Sequence, residues 1–415
     1  MIPVMSHALS PVRERLLHLD VLRGFALLGI FMVNFAYFTQ PVQSIALGPD
    51  PNLGGADRAV ELLIATLFQG KFVALFSILF GAGFMLMAER AAERASPFWG
   101  LYLRRLLILG VFGLAHLLLV WSGDILLVYA LCALFMILFF RNTPSNRLWK
   151  WALVFFAVPP LTIGLLTALI QSTSGDPELQ ASILAGFDEA QQELLASVSQ
   201  AAAINATGSW MDNVGQRLRD MQFLLSSFMF WVPGIVGYFL LGRWLVVSGR
   251  LVRPREHLMF FRRWRSRGLV MGLPLALLAS WLGLVSGSLV VPTPLAALTL
   301  SAYTVSAVLL SLGYLSVVML SWERWQILAP VGRMALTNYL LQSLVWTWLF
   351  YGHGLGLWGE LARWTHPLVV LAFFAMQIAF SHWWMGRFRF GPAEWLWRSL
   401  TYLKLQPMRQ EAASG

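Results

Sequence analysis

The chain has 415 residues, of which 58% are hydrophobic and only 12% charged, against about a quarter charged in ordinary soluble domains. That balance and a mean hydropathy of +0.66 exclude a soluble globular fold, while 19 Trp and 29 Phe suit a lipid-facing surface with aromatic belts. The net charge of +10 comes without a basic stripe interleaved with aromatics outside the apolar segments, which sets nucleic acid aside, and the single Cys132 permits neither an intrachain disulfide nor a Cys-based metal site.

Arg13 and Arg15 precede the first apolar stretch as the basic region of a signal peptide would. The stretch has no small-x-small cleavage site and is long enough to span, so it reads as a retained helix. Ten apolar runs near the length that crosses a bilayer then follow, over 21–38, 62–88, 101–121, 125–140, 149–170, 221–241, 269–290, 295–320, 335–351 and 368–385. Their boundaries are soft and the fourth is short, so nine or eleven spans stay open. The expectation is an all-α polytopic membrane bundle of about ten helices with both termini cytoplasmic. It divides into an N-terminal segment 1–20, a first helix group 21–170, an extracytoplasmic connection 171–220, a second group 221–386, and an interfacial helix and tail 387–415.

Charge sets the orientation. With the N-terminus inside, only Arg58, Arg217, Arg219 and Arg363 fall outside and Lys71 within a span; every other Lys and Arg of the 30 is on the inner side. The 171–220 connection is expected as two short amphipathic helices over the bundle, either a lid or acceptor-recognition cap or a passive linker. Residues 391–398, opening Gly-Pro with Glu394 one turn before Arg398, read as an interfacial helix. The cluster from Arg253 to Arg267 either grips an anionic cofactor tail or simply follows the positive-inside rule.

Ionisable and strongly polar side chains inside a span face the bundle interior, because lipid makes them costly. At a rise of 1.5 Å per residue, Asn34 lies roughly 18 Å from the inner face, His116 roughly 16 Å, and Lys71 roughly 13 Å from the outer face, near one shared level. Gln342 and Gln377 join it from the last two spans. His116 is the natural acid/base group of such a pocket, or a buried histidine satisfied by a neighbour. Asp124 either caps the fourth span or orients His116 across the turn. Lys71 calls for an interior partner or an anionic ligand. Asp20 and Arg23 read first as a structural ion pair. Asn338 and Gln342, four apart, form a pocket wall or interhelical glue. His353, His366 and His382 lack ligand spacing, and no metal site is expected.

Four blocks resemble the YeiB family of bacterial inner-membrane proteins: residues 19–30 with Asp20, Arg23 and Gly24, continuing to Asn34; 113–126 with His116 and Asp124; 332–342 with Asn338; and 390–402. The Asp-x-x-Arg-Gly start with Asn34 is also similar, more distantly, to the transmembrane acyltransferases that include the lysosomal heparan-α-glucosaminide N-acetyltransferase. That resemblance implies transfer of an acyl group from cytosolic acyl-CoA to an acceptor, which would be a small molecule, lipid or glycan, and by analogy a homodimer. It implies an Asn of the first helix, matched by Asn34, and a His soon after it, which residues 35–61 lack. His116 would then act as base, Asp124 as its support and Asn34 as oxyanion donor, with Arg23 and Lys71 meeting the donor and Asn338, Gln342 and Gln377 lining the pocket. A transporter of a small or amphipathic solute, or a non-catalytic membrane protein, is the alternative.

Overall fold

A computed structural model describes residues 16–93, 98–288 and 290–410. Arg13, Arg15 and Arg94, most of the expected N-terminal segment and the last residues of the tail lie outside the described residues. The helices are α1 Leu17–Tyr37, α2 Gly55–Leu67, α3 Lys71–Glu93, α4 Phe98–Leu119, α5 Leu126–Phe140, α6 Ser145–Ser172, α7 Pro177–Thr207, α8 Trp210–Ser226, α9 Phe228–Val247, α10 Leu258–Ser286, α11 Pro294–Ser321, α12 Ala329–Arg333, α13 Ala335–Phe350, α14 His366–Met385 and α15 Pro392–Tyr402. Each of the ten apolar runs is helical. Among the described residues, eight helical stretches are long and apolar enough to cross a membrane by length and composition, while α5 has 15 residues and α13 has 16.

Two runs differ from the sequence reading. The second is two helices, because the chain turns at Phe68-Gln69-Gly70 with Gly70 at φ +79°. The carbonyls freed at the end of α2 are taken up by side chains, the Tyr314 hydroxyl donating to Leu67 O at 3.0 Å and Lys71 Nζ to Ala65 O at 2.8 Å. The sixth starts late: Met221 to Ser226 finish α8, and α9 begins after Ser227. Pro159-Pro160, Pro233 and Pro274 sit inside continuous α6, α9 and α10.

Polarity is arranged inside out. Leu107, Leu138, Phe139, Leu161 and Val270 are mostly exposed, while Lys71, His116, Asp124, Gln342 and Gln377 are buried. Such an arrangement suits lipid outside and a polar-paired interior.

One end of the bundle gathers basic groups, with Arg23 and Arg398 close enough there to act on Arg105. There α1 meets α12 at van der Waals contact: a Cβ on Gly332 would collide with Asp20 O, and one on Gly24 with Leu328 O. Small residues let the two backbones approach. Trp397 Nε1 donates to Arg105 O at 3.0 Å, and Arg105 lies over the Trp397 ring, so α15 rests on the start of α4.

At the same end α13 and α15 cap each other. Glu394 accepts from Leu336 N (2.7 Å), Thr337 N (3.2 Å) and the Thr337 hydroxyl (2.5 Å), while Ala393 N donates back to Thr337 Oγ1 at 3.0 Å. Each helix start presents orphan N–H groups, and a carboxylate there also meets the positive end of the helix dipole. Burial nevertheless pushes the Glu394 carboxyl above its usual range, against the pull of these hydrogen bonds.

Candidate active site

The α4–α5 hairpin makes the site. Gly113, one turn before His116, leaves room for the start of α5: a Cβ there would strike Leu127 N and lie 2.9 Å from Asp124 Oδ2. With that closeness Asp124 does both things open to it. Its Oδ2 accepts from Leu127 N at 2.8 Å, capping α5, and its Oδ1 stands 2.9 Å from His116 Nδ1.

Both side chains are essentially buried, 2% and 0% exposed, so the pair is shielded from solvent screening. A carboxylate partner puts the proton on Nδ1 and leaves Nε2 its lone pair. Nε2 is buried and, among the described residues, has no hydrogen-bond partner. The rings of Tyr339 and Trp121 pack against the imidazole, with centroids 5.3 and 6.4 Å from its own. Tyr339 comes from α13, and its hydroxyl reaches Gly123 O at 3.4 Å, so three helices frame the imidazole.

Asn34 lies beside this site in level. Trp121 Nε1 donates to Tyr37 O at 3.2 Å and the Trp121 ring packs 4.4 Å from Phe38, which sets the last turn of α1 next to the last turn of α4. Asn34 is half-buried, and among the described residues its side chain makes no hydrogen bond. Arg23 pairs with Asp20 at 2.5 Å at the basic end.

The remaining candidates are engaged with one another or elsewhere. Lys71, 1% exposed, is held by Ala65 O and by the Tyr303 ring at 5.3 Å. Among the described residues no hydrogen bond, ion pair or ring contact joins it to His116 or Asn34. Gln342 Nε2 donates to Gln377 Oε1 at 2.8 Å, Gln377 Nε2 to Asn338 O at 3.0 Å, and Asn338 Nδ2 to Ser381 Oγ at 3.0 Å. That chain stitches α13 to α14, with Gln342 Oε1 left without a hydrogen-bond partner among the described residues.

Residues that the sequence reading passed over stand just beyond His116. Asn213, Gln216, Arg217 and Asp220 occupy i, i+3, i+4 and i+7 of α8 and are all buried, while Met211, Leu218 and Leu225 of the same helix are exposed. The spacing was legible as a polar stripe; an ordinary amphipathic helix would have turned it to water. Here α8 is inverted. Trp210 Nε1 and Arg217 Nη1 donate to Leu119 O (3.1 Å) and Leu118 O (3.3 Å), covering the end of α4. Asp220 Oδ1 accepts from Gln43 Nε2 at 2.5 Å and Gln216 Nε2 at 2.7 Å. Burial pushes the Asp220 carboxyl up, while Ser122, Gln216, Gln43 and Arg217 pull it down.

Helices with apolar outer faces, a cationic end and paired polar groups inside define a polytopic α-helical membrane protein. The family described as "Protein of unknown function (DUF418)" matches residues 245–404. The chain is 34% identical to the uncharacterized protein YxaH of Bacillus subtilis (strain 168) over 422 residues, 96% of this chain and 97% of that one. It is 30% identical to the uncharacterized protein YeiB of Escherichia coli (strain K12) over 416 residues, 94% of this chain and 96% of that one. No solved structure matches. The chain belongs to the YeiB family.

Proposed function

We propose that this protein is an acyltransferase of the bacterial inner membrane, moving an acyl group from cytoplasmic acyl-CoA to an acceptor at or across the bilayer. The observation that carries the reading is the buried His116–Asp124 pair with Nε2 unpartnered. A base oriented by a carboxylate, with its free nitrogen in a site of low dielectric, is the arrangement that proton abstraction from a hydroxyl or amine requires.

The acceptor's O–H or N–H gives its proton to Nε2 as its heavy atom bonds to the thioester carbon. The carbonyl oxygen becomes an oxyanion, to which Asn34 donates, and Asp124 balances the imidazolium. The C–S bond then breaks, and His116 returns the proton to the leaving thiolate, giving free CoA thiol. Arg23 lies eleven residues before Asn34, roughly 16 Å along α1, so a donor with its phosphates at the basic end needs an extended arm, as CoA has.

The test is release of thiol from acetyl-CoA and palmitoyl-CoA by the purified protein. Transfer or hydrolysis lost in His116→Ala supports the reading. A protein that neither binds nor cleaves these thioesters, with His116→Ala indistinguishable from the parent, overturns it. One observation favours a transporter instead: the α2–α3 break with buried Lys71, since broken helices mark transport sites. Solute flux into proteoliposomes that Lys71→Ala abolishes, without any covalent product, would support that reading.

A further inference from the structure

Arg217 is a buried cation whose best hydrogen-bonding edge is unused. The residue is 2% exposed, and Nη1 is spent on Leu118 O at 3.3 Å. Nε and Nη2, the side-on pair that meets a carboxylate or phosphate with two parallel bonds, have no hydrogen-bond partner among the described residues.

Two other arginines sharpen the contrast. Arg219, on the same helix, has that very edge filled, Nε and Nη2 donating to Gln216 Oε1 at 3.0 and 2.7 Å. Arg243 also caps a helix, donating to Phe140 O and Arg141 O, and keeps only Nε unpartnered. Asp220 lies near enough to act on Arg217 electrostatically, but its Oδ1 is held by Gln43 and Gln216. Asp220 supplies a counter-charge but no hydrogen bond to that edge, and an open fork on a guanidinium held out of water is a binding element rather than a packing element.

Its position connects it to the dyad. Leu118 is two residues beyond His116, so the guanidinium stands within about one helical turn, on the order of 5 Å along the axis of α4, on the side away from the basic end. We infer that Arg217 receives an oxyanion, a carboxylate or phosphate, carried by the acceptor, and that α8 is the acceptor-recognition cap of the site. The inference rests on the acyl-transfer reading for the word acceptor; the anion site itself does not.

The test uses the full chain in nanodiscs of phosphatidylcholine, without acyl-CoA, followed by thermal unfolding. Inorganic phosphate and succinate are titrated against chloride at constant ionic strength, and in a separate arm phosphatidylglycerol is added to the nanodisc. A saturable rise in Tm with the soluble oxyanions, lost in Arg217→Gln and kept in Arg219→Gln, supports the inference. Arg217→Lys keeps the charge without the fork, and its affinity is expected to fall at least about tenfold. It stands in where Arg217→Gln does not fold.

An Arg217-dependent rise with phosphatidylglycerol alone assigns the oxyanion to a lipid headgroup and supports a lipid acceptor. Equal shifts in parent and Arg217 variants, or none in either arm, overturn the inference. Anion binding without thioester cleavage would leave this site standing and remove the acyl-transfer reading. Cleavage without anion binding would do the reverse.

Discussion

Asp124→Asn separates chemistry from stability at the dyad. Asparagine keeps the volume, and its carbonyl can still accept from Leu127 N, now 2.8 Å from Oδ2. Its amide then faces His116 Nδ1, now 2.9 Å from Oδ1, and donates where the carboxylate accepted. The imidazole must change tautomer, placing the proton on Nε2 and removing the base. Two charge-assisted hydrogen bonds become neutral ones, a loss of about 1–2 kcal/mol in a pair that is fully buried. Loss of general-base catalysis is larger, about 10²- to 10⁴-fold in rate. Asp124→Ala also strips the cap from Leu127 N and is expected to cost a further ~1–3 kcal/mol. The assay is thiol release from acetyl-CoA alongside Tm for both variants. Asn is expected to lose activity nearly as fully as Ala while staying much closer to the parent in Tm. Activity of Asp124→Asn within about threefold of the parent, or activity that falls only in step with Tm in both variants, would refute the reasoning.

Glu394→Ala leaves three donors at the start of α13 without their acceptor and is expected to destabilise by about 2–3 kcal/mol in thermal unfolding, whereas Glu394→Gln keeps much of the cap. Gly391→Ala should act in the same direction, since its Cβ would press on Glu394 Oε2 and Thr337 Oγ1. Burial raises the Asp220 pKa in the folded state, so the folded chain holds that proton more tightly than the unfolded one. Its contribution is complete below the unfolded pKa and is lost as pH rises through the folded value. Tm measured between about pH 4 and 8 is therefore expected to fall less with rising pH in Asp220→Asn than in the parent.

The His116–Asp124 pair could be anticipated because only a short turn separates the two residues, and chain proximity alone brings α5 back on α4. Its finer geometry depends on Gly113, whose role appears only once both helices are in place. Lys71 shows the opposite case. Its depth in an apolar run calls for an interior partner or an anionic ligand; the partner found, Ala65 O, is free to accept only because the run is broken at Gly70, so the ammonium caps the helix that the break ends. The same holds for Glu394, which sequence spacing pairs with Arg398 and which instead caps a helix some sixty positions earlier. In the sequence Arg217 is merely one of the few arginines on the outer side. Its burial follows from the inversion of α8, which no helical period reveals, because periodicity gives the two faces of a helix and not which of them meets the bundle.

The membrane class and the helical spans were determined by the sequence itself, since apolar length and composition are properties of a linear chain in a low-dielectric solvent. The expected sidedness rests on one-sided charge in the same way. Which polar groups are paired, which cap helix ends and which are left with open hydrogen-bonding edges was decided only by the tertiary structure. A hydrogen bond reaches about 3 Å and is indifferent to sequence separation, so it exists only where packing has brought its two ends together.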